Sequence, residues 1–306
     1  PPSKIILLFL IVGVTDFKPT NSGPLSGSTI LAGLSNVERL KMDIDYNAGN
    51  GVGEITLDAP LASGINYFDL SNTDDQVLNL NDGYTGATTV KITGDADSDD
   101  KIVNTAGVEL NIIGNVADID GDSNSATSIT GGLGVDTLTL TNAVDGNEAR
   151  LAGTADSISG VDKIVIVDAT AGADAIIVTG DYQHLKGGVP AGLEIDASSL
   201  DAGEVLTLTG TQSKTAMTVT SGGGHDGLIG GTLSDNIDGG AGNDTITATA
   251  GNNTLSGGVG NDTLIMGSGA DHISGGAGND QITEGGNLLL TDTIDGGAGT
   301  DTLLLG

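Results

Sequence analysis

The sequence predicts an all-β protein that ends in a parallel β-solenoid. An irregular β-solenoid or β-sandwich region and an N-terminal extended strand precede it. Three observations carry this prediction. A nine-residue unit recurs from Ser221 to Leu304, and self-similarity at a short fixed period marks a chain that stacks coil on coil. Upstream, short runs of alternating apolar and polar residues lie between Gly, Asn, Asp and Ser turns, without an amphipathic helical pattern. The composition agrees: 51 Gly but only 3 Phe, 4 Tyr and no Trp in 306 residues leave material for a thin aliphatic core.

In register, the units are SGGGHDGLI, GGTLSDNID, GGAGNDTIT, ATAGNNTLS, GGVGNDTLI, MGSGADHIS and GGAGNDQIT. A unit lengthened by three residues (Glu284–Asp295) and GGAGTDTLL complete the series. Position six is Asp226, Asp235, Asp244, Asn253, Asp262, Asp271, Asp280, Asp292 and Asp301, and position eight is always Leu or Ile. Each unit is thus a six-residue loop followed by a three-residue strand, with a single apolar side chain for the core. Burying that side chain contributes about 2 kcal/mol, whereas ordering each backbone costs roughly 1–2 kcal/mol. Stacked coils sit about 4.8 Å apart. Carboxylates at that spacing repel by ~1 kcal/mol in water and by several kcal/mol at a surface-like dielectric. The coils are therefore predicted to be unstable until a cation lies between the carboxylates.

A donor set of carboxylates and backbone carbonyls, with no Cys and no His cluster, suits Ca²⁺. Several Ca²⁺ ions are the expected cofactor. No Lys or Arg follows Lys214, so no basic side chain can neutralise these carboxylates instead. The net charge of −31, from 10 Lys and Arg against 41 Asp and Glu, argues against nucleic acid and anionic membranes as partners, since both require basic patches.

The GGxGxD loops and their Leu/Ile strands resemble the RTX (repeats-in-toxin) family over residues 221–306. The resemblance implies a right-handed parallel β-roll in which two units make one turn, so alternate loops stack on one edge. One edge then carries Asp226, Asp244, Asp262, Asp280 and Asp301. The inserted residues fall on the other edge, which leaves Asp301 in phase with Asp280. That other edge is eroded: Leu233 replaces a loop Gly, Asn253 replaces Asp, and Met266 replaces a leading Gly. The resemblance also implies the ligand sets, with positions two, four and six of one loop facing positions one, three and six of the next. The sets are Gly240, Gly242 and Asp244 with Gly257, Val259 and Asp262; Gly258, Gly260 and Asp262 with Gly275, Ala277 and Asp280; and Gly276, Gly278 and Asp280 with Gly296, Ala298 and Asp301. A fourth site joins Asp226 to Asp244, and further sites lie around Asp235 and Asp271.

From its start, the chain reads as an apolar arm (1–17), a polar linker (18–28), a β-rich region (29–220) and the roll (221–306). Ile5–Val14 is apolar on both faces and too short to span a membrane. Such a run needs cover on both faces. It is either a central strand of its own domain or a strand donated to a neighbouring subunit, and a head-to-tail contact of that kind propagates. Strands are expected at Glu54–Leu57, Val77–Leu80, Thr89–Ile92, Glu109–Ile113, Thr137–Leu140, Lys163–Val167, Ala175–Val178, Leu193–Ile195, Val205–Leu208 and Met217–Val219. An isolated loop unit, GGLGVDTLT, occupies Gly131–Thr139. The acidic runs at Asp95–Asp100 and Asp118–Asp122 read as solvated turns, with a calcium site of another kind as the alternative at each.

Catalytic patterns are missing from the sequence. His184, His225 and His272 have no partner at helical spacing, no H-E-x-x-H or G-x-S-x-G occurs, and there is no Cys. The expectation is a non-enzymatic structural protein, extracellular or on the surface of a Gram-negative-type bacterium, that polymerises head-to-tail into a filament or surface layer similar to those of RTX surface-layer proteins. The alternative is a calcium-dependent adhesin or ligand-binding module, with cell-surface polysaccharide as partner. A polysaccharide-modifying enzyme is the least favoured reading.

Overall fold

A computed structural model describes residues 39–41, 53–57, 66–70, 76–81, 84, 88–92, 101–105, 108–115, 128–132, 134–141, 148–153, 158–167, 175–180, 192–211, 213, 215–284 and 288–306. The apolar arm, the linker and the acidic runs around Asp95–Asp100 and Asp118–Asp122 lie outside these residues. Among the described residues there is no helix, and every strand pair is parallel. Parallel pairing of successive short strands excludes a sandwich for the β-rich region and makes the whole described architecture solenoidal. Each of the ten strands expected upstream of the repeat coincides with an observed strand, to within a residue or two at its ends. Further strands lie at Arg39–Lys41, Tyr67–Asp69, Lys101–Asn104, Ser128–Thr130 and Glu148–Gly153, where short stretches give little alternation to read.

The chain divides into two compact units, one of residues 1–139 and 157–161, the other of residues 140–156 and 162–306. In the first, a 5-stranded sheet runs Ile158–Ser159, Ser128–Thr130, Lys101–Asn104, Gln76–Leu80 and Gly53–Leu57. Opposite lie the stacked strands Arg39–Lys41, Tyr67–Asp69, Thr88–Ile92 and Leu110–Asn115. Phe68, Val90 and Ile112 form one buried column, and Leu78, Ile102 and Ile129 another. Both columns follow from strand alternation, which sends every second side chain inward.

In the second unit, an 8-stranded sheet runs from Glu148–Gly153 through Ala175–Gly180, Val205–Thr209, Gly227–Ile229, Thr245–Thr247, Thr263–Ile265 and Gln281–Thr283 to Thr302–Leu304. The facing strands are Lys163–Val167, Leu193–Asp196, Met217–Thr220, Asn236–Asp238, Thr254–Val259, His272–Ala277 and Thr293–Asp295. Within the repeat, Thr245 pairs with Thr263 and Asn236 with Thr254, so one turn consumes two nonapeptides. At the lengthened unit, His272 pairs with Thr293 and Gln281 with Thr302. The three extra residues are therefore absorbed in a loop without breaking phase. Position eight fills the core: Leu228, Ile237, Ile246, Leu255, Leu264 and Ile273 are each 0% exposed.

Candidate metal centre

The kept edge owes its shape to glycine. Gly240, Gly242, Gly258, Gly260, Gly276, Gly278, Gly297 and Gly299 all have positive φ, whereas only Gly251 and Gly269 do on the eroded edge. Each of the four kept loops from Asp244 to Asp301 thus turns twice into a region that L side chains avoid. This brings loop backbones into direct stacking, where Val259 N donates to Gly240 O at 2.8 Å and Gly242 N to Val259 O at 2.7 Å.

The position-six side chains form a ladder that runs along the solenoid. Asp226 N donates to Asp244 Oδ1 (2.8 Å), Asp244 N to Asp262 Oδ1 (2.8 Å), Asp262 N to Asp280 Oδ1 (2.9 Å) and Asp280 N to Asp301 Oδ1 (3.0 Å). One carboxylate oxygen thereby caps the coil behind it. The other points into the loop, over the leading glycine: a Cβ on Gly239, Gly257 or Gly275 would lie within 2.5 Å of Oδ2 of Asp244, Asp262 or Asp280. The requirement for Gly at position one follows from that approach.

These inward oxygens mark where a cation fits. Asp244, Asp262, Asp271 and Asp280 each hold a buried Oδ2 with no hydrogen-bond partner. Such groups are costly unless something compensates them. Among the described residues, no three His, Cys, Asp or Glu side chains converge. The carboxylates therefore meet only in pairs, and backbone carbonyls must complete any coordination shell, a donor set that suits a hard cation. Stacking brings Gly240, Gly242 and Asp244 beside Gly257, Val259 and Asp262. The next coil sets Gly258, Gly260 and Asp262 beside Gly275, Ala277 and Asp280, and the last sets Gly276, Gly278 and Asp280 beside Gly296, Ala298 and Asp301.

The remaining position-six carboxylates sit differently. Asp226 Oδ1 accepts from Leu206 N at 2.7 Å and its Oδ2 from Ser221 Oγ at 2.5 Å. Asp235 Oδ1 accepts from Met217 N at 2.8 Å and its Oδ2 from Gly231 N at 2.7 Å. Upstream, Asp136 of the isolated GGLGVD loop is 0% exposed. It accepts from Leu110 N (3.0 Å), Gly132 N (2.8 Å) and Asn104 Nδ2 (3.3 Å). Sequence reasoning noticed that loop but not Asn104, whose link to Asp136 spans 32 residues. It also missed His225, whose Nδ1 accepts from Asn243 N at 2.6 Å and starts an outer ladder through Asn243, Asn261 and Asn279.

Burial raises the pKa of the Asp226, Asp235 and Asp262 carboxyls. Asp244 is pushed up to about 7, first by burial and then by the neighbouring charges of Asp226, Asp262 and Asp238, against the hydrogen bond from Asp226 N. A carboxyl whose folded pKa is raised stabilises the fold below its unfolded pKa, and that contribution is lost as pH rises through the folded value. In calcium-depleted buffer the roll is therefore expected to gain folded population as pH falls from about 8 to about 5. Circular dichroism along that titration checks the sign, and a calcium-free roll that unfolds on acidification over this range would contradict it.

A comparison with known families matches the RTX calcium-binding nonapeptide repeat (4 copies) at residues 229–264, 267–283 and 291–306. No curated protein and no solved structure matches the chain. The gap at residues 284–290 is the inserted loop. RTX nonapeptide repeats bind calcium, and the inward carboxylate oxygens fit that ion; the cofactor is Ca²⁺.

Proposed function

Because residues 229–306 form an RTX calcium-binding β-roll, we propose that the protein is an extracellular structural element, from a Gram-negative-type bacterium, that assembles into a filament or surface layer. Calcium folds the roll, and the apolar segment Ile5–Val14 joins subunits head-to-tail. The role is structural rather than catalytic. One observation carries the reading. On an otherwise acidic roll, the lengthened unit exposes Leu288 (47%), Leu289 (48%) and Leu290 (108%). Consecutive exposed apolar side chains mark an interaction surface, and Ile5–Val14 is an apolar run of the composition that strand addition to a sheet requires.

Electron microscopy of the full chain tests it. Filaments or sheets are expected in millimolar calcium, with their loss on deletion of Pro1–Phe17 while circular dichroism stays folded. Assemblies that persist without the segment, or no assembly of the full chain in calcium, would sink the reading.

A second reading has its own support. The outer face of the 8-stranded sheet aligns Thr207, Gly227, Thr245, Thr263, Gln281 and Thr302 in one column, and the next alternates Thr209, Ile229, Thr247, Ile265, Thr283 and Leu304. Such a mixed column of hydroxyl and apolar groups suits polysaccharide. Calcium-dependent glycan binding by a chain that stays monomeric would favour an adhesin.

A further inference from the structure

The eroded edge is not simply the kept edge with parts missing. At position six, Asp262 on the kept edge has Oδ1 occupied by Asp244 N (2.8 Å) and an unpartnered Oδ2. Asn253 occupies the same position on the eroded edge and is 2% exposed. Its Oδ1 accepts from Asp235 N at 2.9 Å, as an Asp would. Where an Asp would turn an orphan oxygen inward, Asn253 turns an amide. Nδ2 donates to Gly251 O (3.0 Å), Asp271 Oδ1 (3.1 Å) and Ala250 O (3.3 Å). The hydrogen bonds fix the orientation of this amide, since flipping it would set an oxygen against three acceptors and an NH₂ against the Asp235 N–H.

Position two of the same loop repeats the substitution. The kept edge has Gly240, Gly258 and Gly276 there, with no side chain, whereas Thr249 donates its hydroxyl to Gly231 O. Gly231 N in turn satisfies Asp235 Oδ2 at 2.7 Å. Inward carbonyls and carboxylate oxygens that face an ion on the kept edge therefore face protein donors here. The neutral Asn253 also separates Asp235 from Asp271, so no two carboxylates meet on adjacent coils between those residues; Asp271 and Asp292 form the pair that does. Among the described residues, the one unpartnered buried carboxylate oxygen on this edge is Asp271 Oδ2, beyond Asn253.

We propose that Asn253 and Thr249 take the part of the ions on this edge, so that the stacking of loop 248–253 on loop 230–235 is held without calcium while the facing edge requires it. The eroded edge is then a permanent seam that holds coils in register before calcium loads the other side.

Asn253→Asp restores the carboxylate and removes the donor. Ion counting by native mass spectrometry in calcium is expected to find at least one more ion per chain in the variant than in the parent protein, and the variant should need more calcium to fold. Equal counts together with equal calcium midpoints would overturn the proposal. The parent protein decides the matter if the variant does not fold. Anomalous diffraction from calcium-loaded crystals should give peaks between the loops of Asp244, Asp262 and Asp280 and none between loops 230–235 and 248–253. A peak between those two loops would overturn it.

Discussion

Excess chelator at neutral pH will unfold the loops that carry Asp244, Asp262 and Asp280 and leave the first unit folded. The roll has one core side chain per nonapeptide, and its inward carboxylate oxygens have no partner in the protein. A ligand held at 100 times its Kd stabilises the folded state by about 2.7 kcal/mol per site. Three such sites together match the whole stability of a typical domain, roughly 5–15 kcal/mol. The described part of the first unit is held differently. Its core of Phe68, Leu78, Val90, Ile102 and Ile112 is 0% exposed, and Asp136 of its GGLGVD loop is bonded by protein donors. Calcium titration followed by circular dichroism and amide exchange should restore protection in residues 239–244, 257–262 and 275–280 with little change at residues 76–80 or 101–104. Indistinguishable spectra in chelator and in millimolar calcium would refute the dependence.

Gly260→Ala should be among the most damaging single substitutions in the chain. Gly260 has φ of +141°, and a Cβ there would lie 1.4 Å from Gly242 O, a backbone atom of the adjacent coil. No rotamer relieves that overlap, so the loops must separate and the carboxylates of Asp244 and Asp262 with them. The expected cost is about 4 kcal/mol or more, seen as a large rise in the calcium concentration needed for folding. Gly227→Ala is the matched control. A Cβ at Gly227 meets nothing within 4 Å, and its φ is not positive, so the change should be neutral or stabilising by about 0.4–1 kcal/mol. Similar calcium midpoints for the two variants would mean that close loop stacking does not hold the sites together.

The legible part of this protein is the part written at a fixed spacing. Leu and Ile at position eight, Asp at position six and Gly at positions one, two and four each recur on one chain, and a solenoid returns the same environment to every repeat. The core column could therefore be read from residues alone, and the two-unit turn and the stacked Asp register from the resemblance to RTX repeats. The phase of Asp301 could too, because an insertion in a loop lengthens that loop without shifting the strands around it. The first unit was less legible. Its coils differ in length, so nothing in the sequence told parallel stacking from a sandwich; pairings such as Leu78 with Ile102 and Ile129 settled it.

What the sequence by itself determined is the period, the core column and the kind of ion. Tertiary structure decided which carboxylates need that ion. Asp235 and Asp262 occupy the same repeat position, yet both oxygens of Asp235 are bonded by Met217 N and Gly231 N, while Asp262 keeps Oδ2 bare. Asn253 looked like erosion and proved to be a donor with three acceptors around it. The physical reason is common to both cases. A side chain's identity is local, but whether its polar atoms are satisfied depends on the coil stacked against it, 18 residues away.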